Sequence, residues 1–272
     1  GSTVTGLENI TAHATNAAQE IDANLLSGKT YAVAAAATGA TGSMNAIVQA
    51  TDTSIDLSTL VNSSDVATSM AGMTYITNAS GNSSAITIKG ATGAKNTITG
   101  STSAGDTITG GDLADSFVIT SDGVMFNASN VMLDTFTGGA GTDSYTVGTS
   151  GTAFTIVAAD NFSKSTTVET IAAVANTAAV SITLGTSAES AGITTIDLSS
   201  AGTAGTTGST AAYTSTGATI TGSAGVDTLT GGAGGDTITG GLLADVLSGG
   251  AGDDTFVYKL TADLFATQTT VD

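Results

Sequence analysis

The 272-residue chain contains no cysteine, no proline, no tryptophan and no arginine, and its single histidine is His13. Without cysteine there is no disulfide. With one histidine besides, neither a zinc site nor a thiol or serine–histidine nucleophile has the side chains it needs. Positive charge is equally scarce: Lys29, Lys89, Lys95, Lys164 and Lys259 stand against 23 acidic residues, a formal net charge of -18. Such a chain cannot neutralise a phosphate backbone, so nucleic acid is excluded as a partner, and anionic membrane surfaces are disfavoured for the same reason. No apolar run reaches the roughly twenty residues of a membrane span and no signal peptide opens the chain, so membrane insertion is not expected. The opening Gly1-Ser2 reads as a cloning remnant, and the native start is expected to lie elsewhere.

What is abundant is small and regular. Glycine occurs 36 times, and 40% of residues are hydrophobic. Evenly placed Ile, Val and Leu among Thr and Ser argue for an ordered, β-rich chain rather than a disordered one.

The most regular stretch is 222–257, which reads GSAGVDTLT GGAGGDTIT GGLLADVLS GGAGDDTFV. These are four consecutive nine-residue units with Gly first, Asp sixth and a large apolar residue eighth. Glycine tolerates backbone conformations that other residues adopt only with strain, so such a run can turn tightly and aim several carbonyl oxygens one way. Calcium takes six to eight oxygens in a flexible geometry, and an Asp just after the turn adds a charged ligand. The next residues, as in Thr237-Ile238-Thr239, alternate as a half-buried strand does, Thr outward and Ile inward. Two units then make one coil of eighteen residues. Asp227 stacks over Asp245 and Asp236 over Asp254, about 4.8 Å apart at strand spacing. At that distance like charges repel by roughly 3 to 4 kcal/mol at the effective dielectric of a protein surface, a sign that a bound cation reverses. The metal is therefore expected to be part of the folding equilibrium.

This pattern resembles the RTX (repeats-in-toxin) family, whose unit is G-G-x-G-x-D-x-(large apolar)-x. It is complete at 231–239 and 249–257, with Gly231, Gly232, Gly234 and Asp236 in one and Gly249, Gly250, Gly252 and Asp254 in the other. Ser223 replaces the second glycine of the first unit, and Leu243 stands at the fourth position of the third. The resemblance implies an all-β fold, a right-handed parallel β-helix or β-roll solenoid, with Ca2+ held in the turns. It also implies secretion by a type I system into a calcium-rich exterior.

The chain also contains itself twice. TGLENITAHATNAAQEI at 5–21 echoes TTVETIAAVANTAAVSI at 166–182, and DTITGGDLADSF at 106–117 echoes DTITGGLLADVL at 236–247. A tandem duplication is expected, with a first module over 1–147 and a second over 148–272, and an insertion at 119–135 forming a loop or lateral protrusion. Residues 11–26 and 62–73 could each be a short helix; for the former, solenoid coils are preferred. The first module carries a degenerate array at 90–118 and 138–146. Asp106, Asp115 and Asp143 are its candidate ligands and Asn96 lies near a ligand position, although Leu113 stands where glycine is expected and Asp143 has no unit eighteen residues away. Lys95 beside Asn96 argues against a full calcium site there.

Catalysis by carboxylates alone needs two converging acids. Glu8, Asp22, Asp160, Glu169 and Glu189 are scattered, and Tyr31, Tyr75, Tyr145, Tyr213 and Tyr258 form no row suited to sugar binding. A non-enzymatic role is expected. The coils at 5–60 and 166–201 resemble those of bacterial surface-layer proteins that share RTX repeats, which implies a structural tile that assembles with itself at the cell surface and contacts surface polysaccharide. A stalk or binding module of a large RTX adhesin and the carboxy-terminal calcium module of a secreted hydrolase are the alternatives. The chain is expected to be a fragment that stops at Asp272 ahead of an export signal.

Overall fold

A computed structural model describes residues 9–12, 19–23, 32–35, 43–62, 74–175, 178–257 and 269–271. Its regular structure is almost wholly short parallel strands, interrupted by the short helices Asp122–Met125 and Thr186–Ala191. A three-residue strand of β-branched and small residues makes few hydrogen bonds of its own. It persists because each neighbour along the stack repeats it in register, and the fold is a parallel β-roll.

The chain divides into two compact units, Gly1–Val118 with Asp134–Asp143, and Ile119–Leu133 with Ser144–Asp272. In the first unit, strands Ser54–Asp56, Thr87–Lys89, Thr107–Thr109 and Thr135–Thr137 pair in parallel. A second row runs through Gln19–Asp22, Ser43–Ile47, Thr74–Asn78, Lys95–Thr99 and Ser116–Ile119. Asn9–Ala12, Ala32–Ala35 and Val61–Asn62 form a third. Of the helix candidate at 11–26, residues 11–12 and 19–22 lie in strands, and 13–18 and 24–26 lie outside the described residues. The helix candidate at 62–73 lies, beyond Asn62, outside the described residues.

In the second unit one row comprises Ser144–Val147, Thr170–Ala173, Thr195–Asp197, Thr219–Thr221, Thr237–Thr239 and Thr255–Val257. The other comprises Phe154–Ile156, Val180–Thr183, Thr206–Ser209, Thr228–Thr230, Val246–Ser248 and Thr269–Val271. Inward residues stack as columns: Tyr145, Ile171, Ile196, Ile220 and Ile238 in one, Ile156, Ile182, Leu229 and Leu247 in the other, all buried. Each such Leu or Ile contributes roughly 1.5 to 3 kcal/mol. Outward threonines alternate with them.

The insertion differs from its sequence outline. The coil resumes at Asp134, because Thr135–Thr137 pairs with Thr107–Thr109, so the excursion is 119–133. It is no free arm either: Met125, Phe126 and Met132 are buried within the second unit, and the Phe126 ring meets that of Phe162 edge-on at 5.1 Å. Apolar side chains at those positions favour packing over protrusion. Lys164 Nζ pins the end of the excursion by donating to the Leu133 carbonyl at 2.9 Å.

Candidate metal centre

Each repeat turn ends on an aspartate whose side chain folds back under it. The Asp236 carboxylate accepts the Gly232 N–H on Oδ2 at 2.7 Å and, on Oδ1, the N–H of Ala218 in the preceding coil at 2.6 Å. Asp236 in turn donates its own N–H to Asp254 Oδ1 at 2.9 Å. Asp227 repeats the arrangement, accepting from Ser223 N and Thr206 N at 2.6 Å each and donating to Asp245 Oδ1 at 2.9 Å. The aspartates thus form ladders in which a carboxylate of one coil caps a backbone amide of the coil before it, eighteen residues earlier for Asp236, Asp245 and Asp254. Asp227, Asp236 and Asp245 are buried, and Asp254 is half-buried.

The glycines set the width of the cradle. A Cβ on Gly231 would strike the Gly249 carbonyl and Asp236 Oδ2, and one on Gly249 would strike Asp254 Oδ2. Gly250 and Gly252 have φ of +99° and +114° and lie against the carbonyls of Gly232 and Gly234. Backbone oxygens of successive coils therefore line a space that any side chain would fill. Leu243 shows that the turn geometry survives its substitution: it adopts the left-handed conformation itself, with φ +68°.

The first unit builds two more ladders. In one, Asp106 accepts from Ile86 N at 2.9 Å and Ser101 N at 2.6 Å, and donates to Asp134 Oδ1 at 2.9 Å. In the other, Asp115 accepts from Asn96 N at 2.6 Å and donates to Asp143 Oδ1 at 2.7 Å. Asp143 thus has a partner twenty-eight residues earlier, because the excursion leaves the coil between them. Asp134 was not a candidate from spacing. Its signal is Asp134-Thr135-Phe136-Thr137, the same Asp-Thr-apolar-Thr that follows the turn at Asp106, Asp227 and Asp236.

Burial raises the Asp236 carboxyl above the usual carboxylate range; the amides of Ala218 and Gly232 pull it down and the Asp254 charge pushes it up. Burial likewise raises Asp115 against the hydrogen bonds of Asn96 and Gly111. Among the described residues no three carboxylate or imidazole side chains converge as a metal cluster. A cation in these turns would therefore draw on one or two carboxylates and the turn carbonyls, an all-oxygen set that suits calcium.

Of the acids weighed for catalysis, Glu8 lies outside the described residues and Asp22 falls in the strand Gln19–Asp22. Glu169 and Glu189 fall at separate places in the second unit, and Asp160 is buried, capping Val157 N at 2.8 Å. The half-buried Glu189 accepts the N–H groups of Thr214, Ser215 and Thr216 at 3.0–3.1 Å, which hold its carboxyl at about 2, Thr214 contributing most. Tyr75, Tyr145 and Tyr213 are buried in the coils. His13, Tyr31 and Tyr258 lie outside the described residues.

Searches of curated proteins and of solved structures returned no match. Residues 213–247 and 234–260, all in the second unit, match the model of the RTX calcium-binding nonapeptide repeat in four copies. The repeats within 213–260 are RTX calcium-binding nonapeptide repeats, and calcium is their ion.

Proposed function

We propose that this chain is a calcium-loaded structural segment of a bacterial cell-surface protein, exported by a type I system, that assembles with copies of itself into a surface layer. The observation that carries the reading is the continuous stack of coils in the second unit, whose turns hold buried aspartates in register. Such a stack is a stiff element whose order depends on an ion abundant outside cells. Two further features support self-association. Val226, Leu242, Leu243 and Val246 are large apolar side chains exposed around the Asp227–Asp245 corner, a surface suited to a neighbouring copy. A charge of -18 keeps copies apart until cations discharge the carboxylates. The role proposed is non-catalytic, at the cell surface, with surface polysaccharide as a further contact. No helix among the described residues is long and apolar enough to cross a membrane.

Sedimentation and negative-stain microscopy of the full-length parent, in millimolar calcium and in chelator, test the proposal. Ordered sheets or filaments in calcium alone are expected. A strict monomer in both conditions would replace the tile with the adhesin stalk or the enzyme accessory module.

A further inference from the structure

One rung of the first unit's ladders is an amide. Asn96 stands where the other turns have aspartate, and it is 2% exposed. Its Oδ1 accepts the Ala91 N–H at 2.8 Å. Its Nδ2 donates to Ala91 O at 3.0 Å, Ala94 O at 3.2 Å and Asp115 Oδ1 at 2.9 Å. Two hydrogens serve three acceptors, so one is shared. The orientation is fixed by the network: a turned amide would aim Oδ1 at three oxygens and its NH2 at the Ala91 N–H. Two turn carbonyls and one carboxylate of the next coil thus converge on a single nitrogen, the kind of oxygen set that a hard cation gathers.

We propose that the Asn96 amide occupies the cation position of this turn, so that the coil beginning at Gly90 closes without calcium and offers a metal-independent start to the ladder Asn96–Asp115–Asp143. The space is taken. A Cβ on Gly90 would lie 2.6–2.8 Å from Cγ, Nδ2 and Oδ1 of Asn96, and one on Gly111 in the next coil would lie 3.2 Å from Nδ2. Lys95, exposed beside the turn, adds a positive charge that repels a second cation. Asn96 is here a specificity-determining residue: it decides which turn takes metal.

The inference rests on the calcium reading of the other turns, and the test separates the two. Calcium is titrated calorimetrically into the chelator-treated full chain, as wild type, Asn96→Asp and Asn96→Ala. Asn96→Asp is expected to bind one ion more than wild type, because it exchanges the donor for a ligand, and Asn96→Ala the same number as wild type. Hydrogen exchange of the wild type in chelator should find the Asn96 and Ala91 amides protected, and Asn96→Ala should speed their exchange by about tenfold or more. An unchanged ion count in Asn96→Asp overturns the proposal. So does the loss of one ion in Asn96→Ala, which would make Oδ1 a ligand. If Asn96→Ala does not fold, Asn96→Asp and the wild-type exchange decide. A wild type that takes up no calcium overturns the repeat reading itself, and the inference with it.

Discussion

The turn of Asp236 and the turns of the first unit hold the same carboxylate with different partners. Asp236, in a complete glycine unit, accepts only backbone amides, those of Gly232 and Ala218. Asp106 also receives the Ser101 hydroxyl at 2.8 Å, and Asp115 the Asn96 amide at 2.9 Å. Asp227, in a unit that departs from the pattern at Ser223, receives that hydroxyl at 2.9 Å and the Thr206 hydroxyl at 2.8 Å. Where serine replaces the second glycine of the unit, at Ser101 and Ser223, its hydroxyl is a donor aimed at the carboxylate. At Asp236, where that glycine is kept, no side chain donates to the carboxylate.

Chelation should expose that contrast most strongly. In excess chelator the amides of Gly232 and Asp236 are expected to lose exchange protection, and the β signal in circular dichroism to fall, while Ala91 and Asn96 stay protected. Equal loss in both regions would break the comparison.

Substitution separates the hydrogen-bonding role of the aspartate from its metal role. Asp236→Ala orphans two buried donors at about 1 to 3 kcal/mol each, so it should destabilise the chain by roughly 2 kcal/mol or more in chemical unfolding, and abolish calcium uptake at its turn. Asp253→Ala, at an exposed position, should stay within about 0.5 kcal/mol. Equal effects would mean that bulk charge, not register, governs the array.

Leu243 sharpens the comparison from the other side. It is 54% exposed and holds φ +68°, a conformation that costs a non-glycine residue about 1 to 2 kcal/mol. Leu243→Gly should raise the thermal midpoint by a few degrees, since part of that gain is offset by the roughly 0.5 to 1 kcal/mol of added chain entropy. A lowered midpoint would show that the side chain stabilises more than the backbone strain costs.

The smallest effect concerns Glu189, whose carboxyl is held at about 2 from an ordinary 4.5. A depressed folded value contributes stability above the unfolded value, and that contribution is lost as pH falls from about 4.5 through 2. Wild type and Glu189→Gln should therefore differ slightly at pH 6 and converge towards pH 2. Parallel pH profiles would remove the carboxylate from the account.

The sequence made the strictly spaced part of this legible. Eighteen-residue spacing alone placed Asp227 with Asp245 and Asp236 with Asp254, and alternation put Ile238 and Leu247 inside. Coil length defeated spacing elsewhere. Asp115 and Asp143 meet across twenty-eight residues, and Asp134 escaped because no glycine turn of the pattern precedes it. That the carboxylates accept amides from the coil before was not readable at all, since it depends on which backbone groups the stacking leaves facing each corner.

That last feature gives the stack a direction. All four ladders open on a residue that offers an N–H but no carboxylate, namely Ile86, Asn96, Thr206 and Ala218. Each following coil reaches back to seal the one already laid down, and its own amide becomes the docking point for the next. Such a structure behaves as a template that copies itself along one axis, and nothing in the rule limits its length. Termination has to be written as an exception, a coil whose turn carries no acceptor for the amide before it. Counting aspartates between an opening donor and such an exception would give the number of coils that an array of this kind can seal.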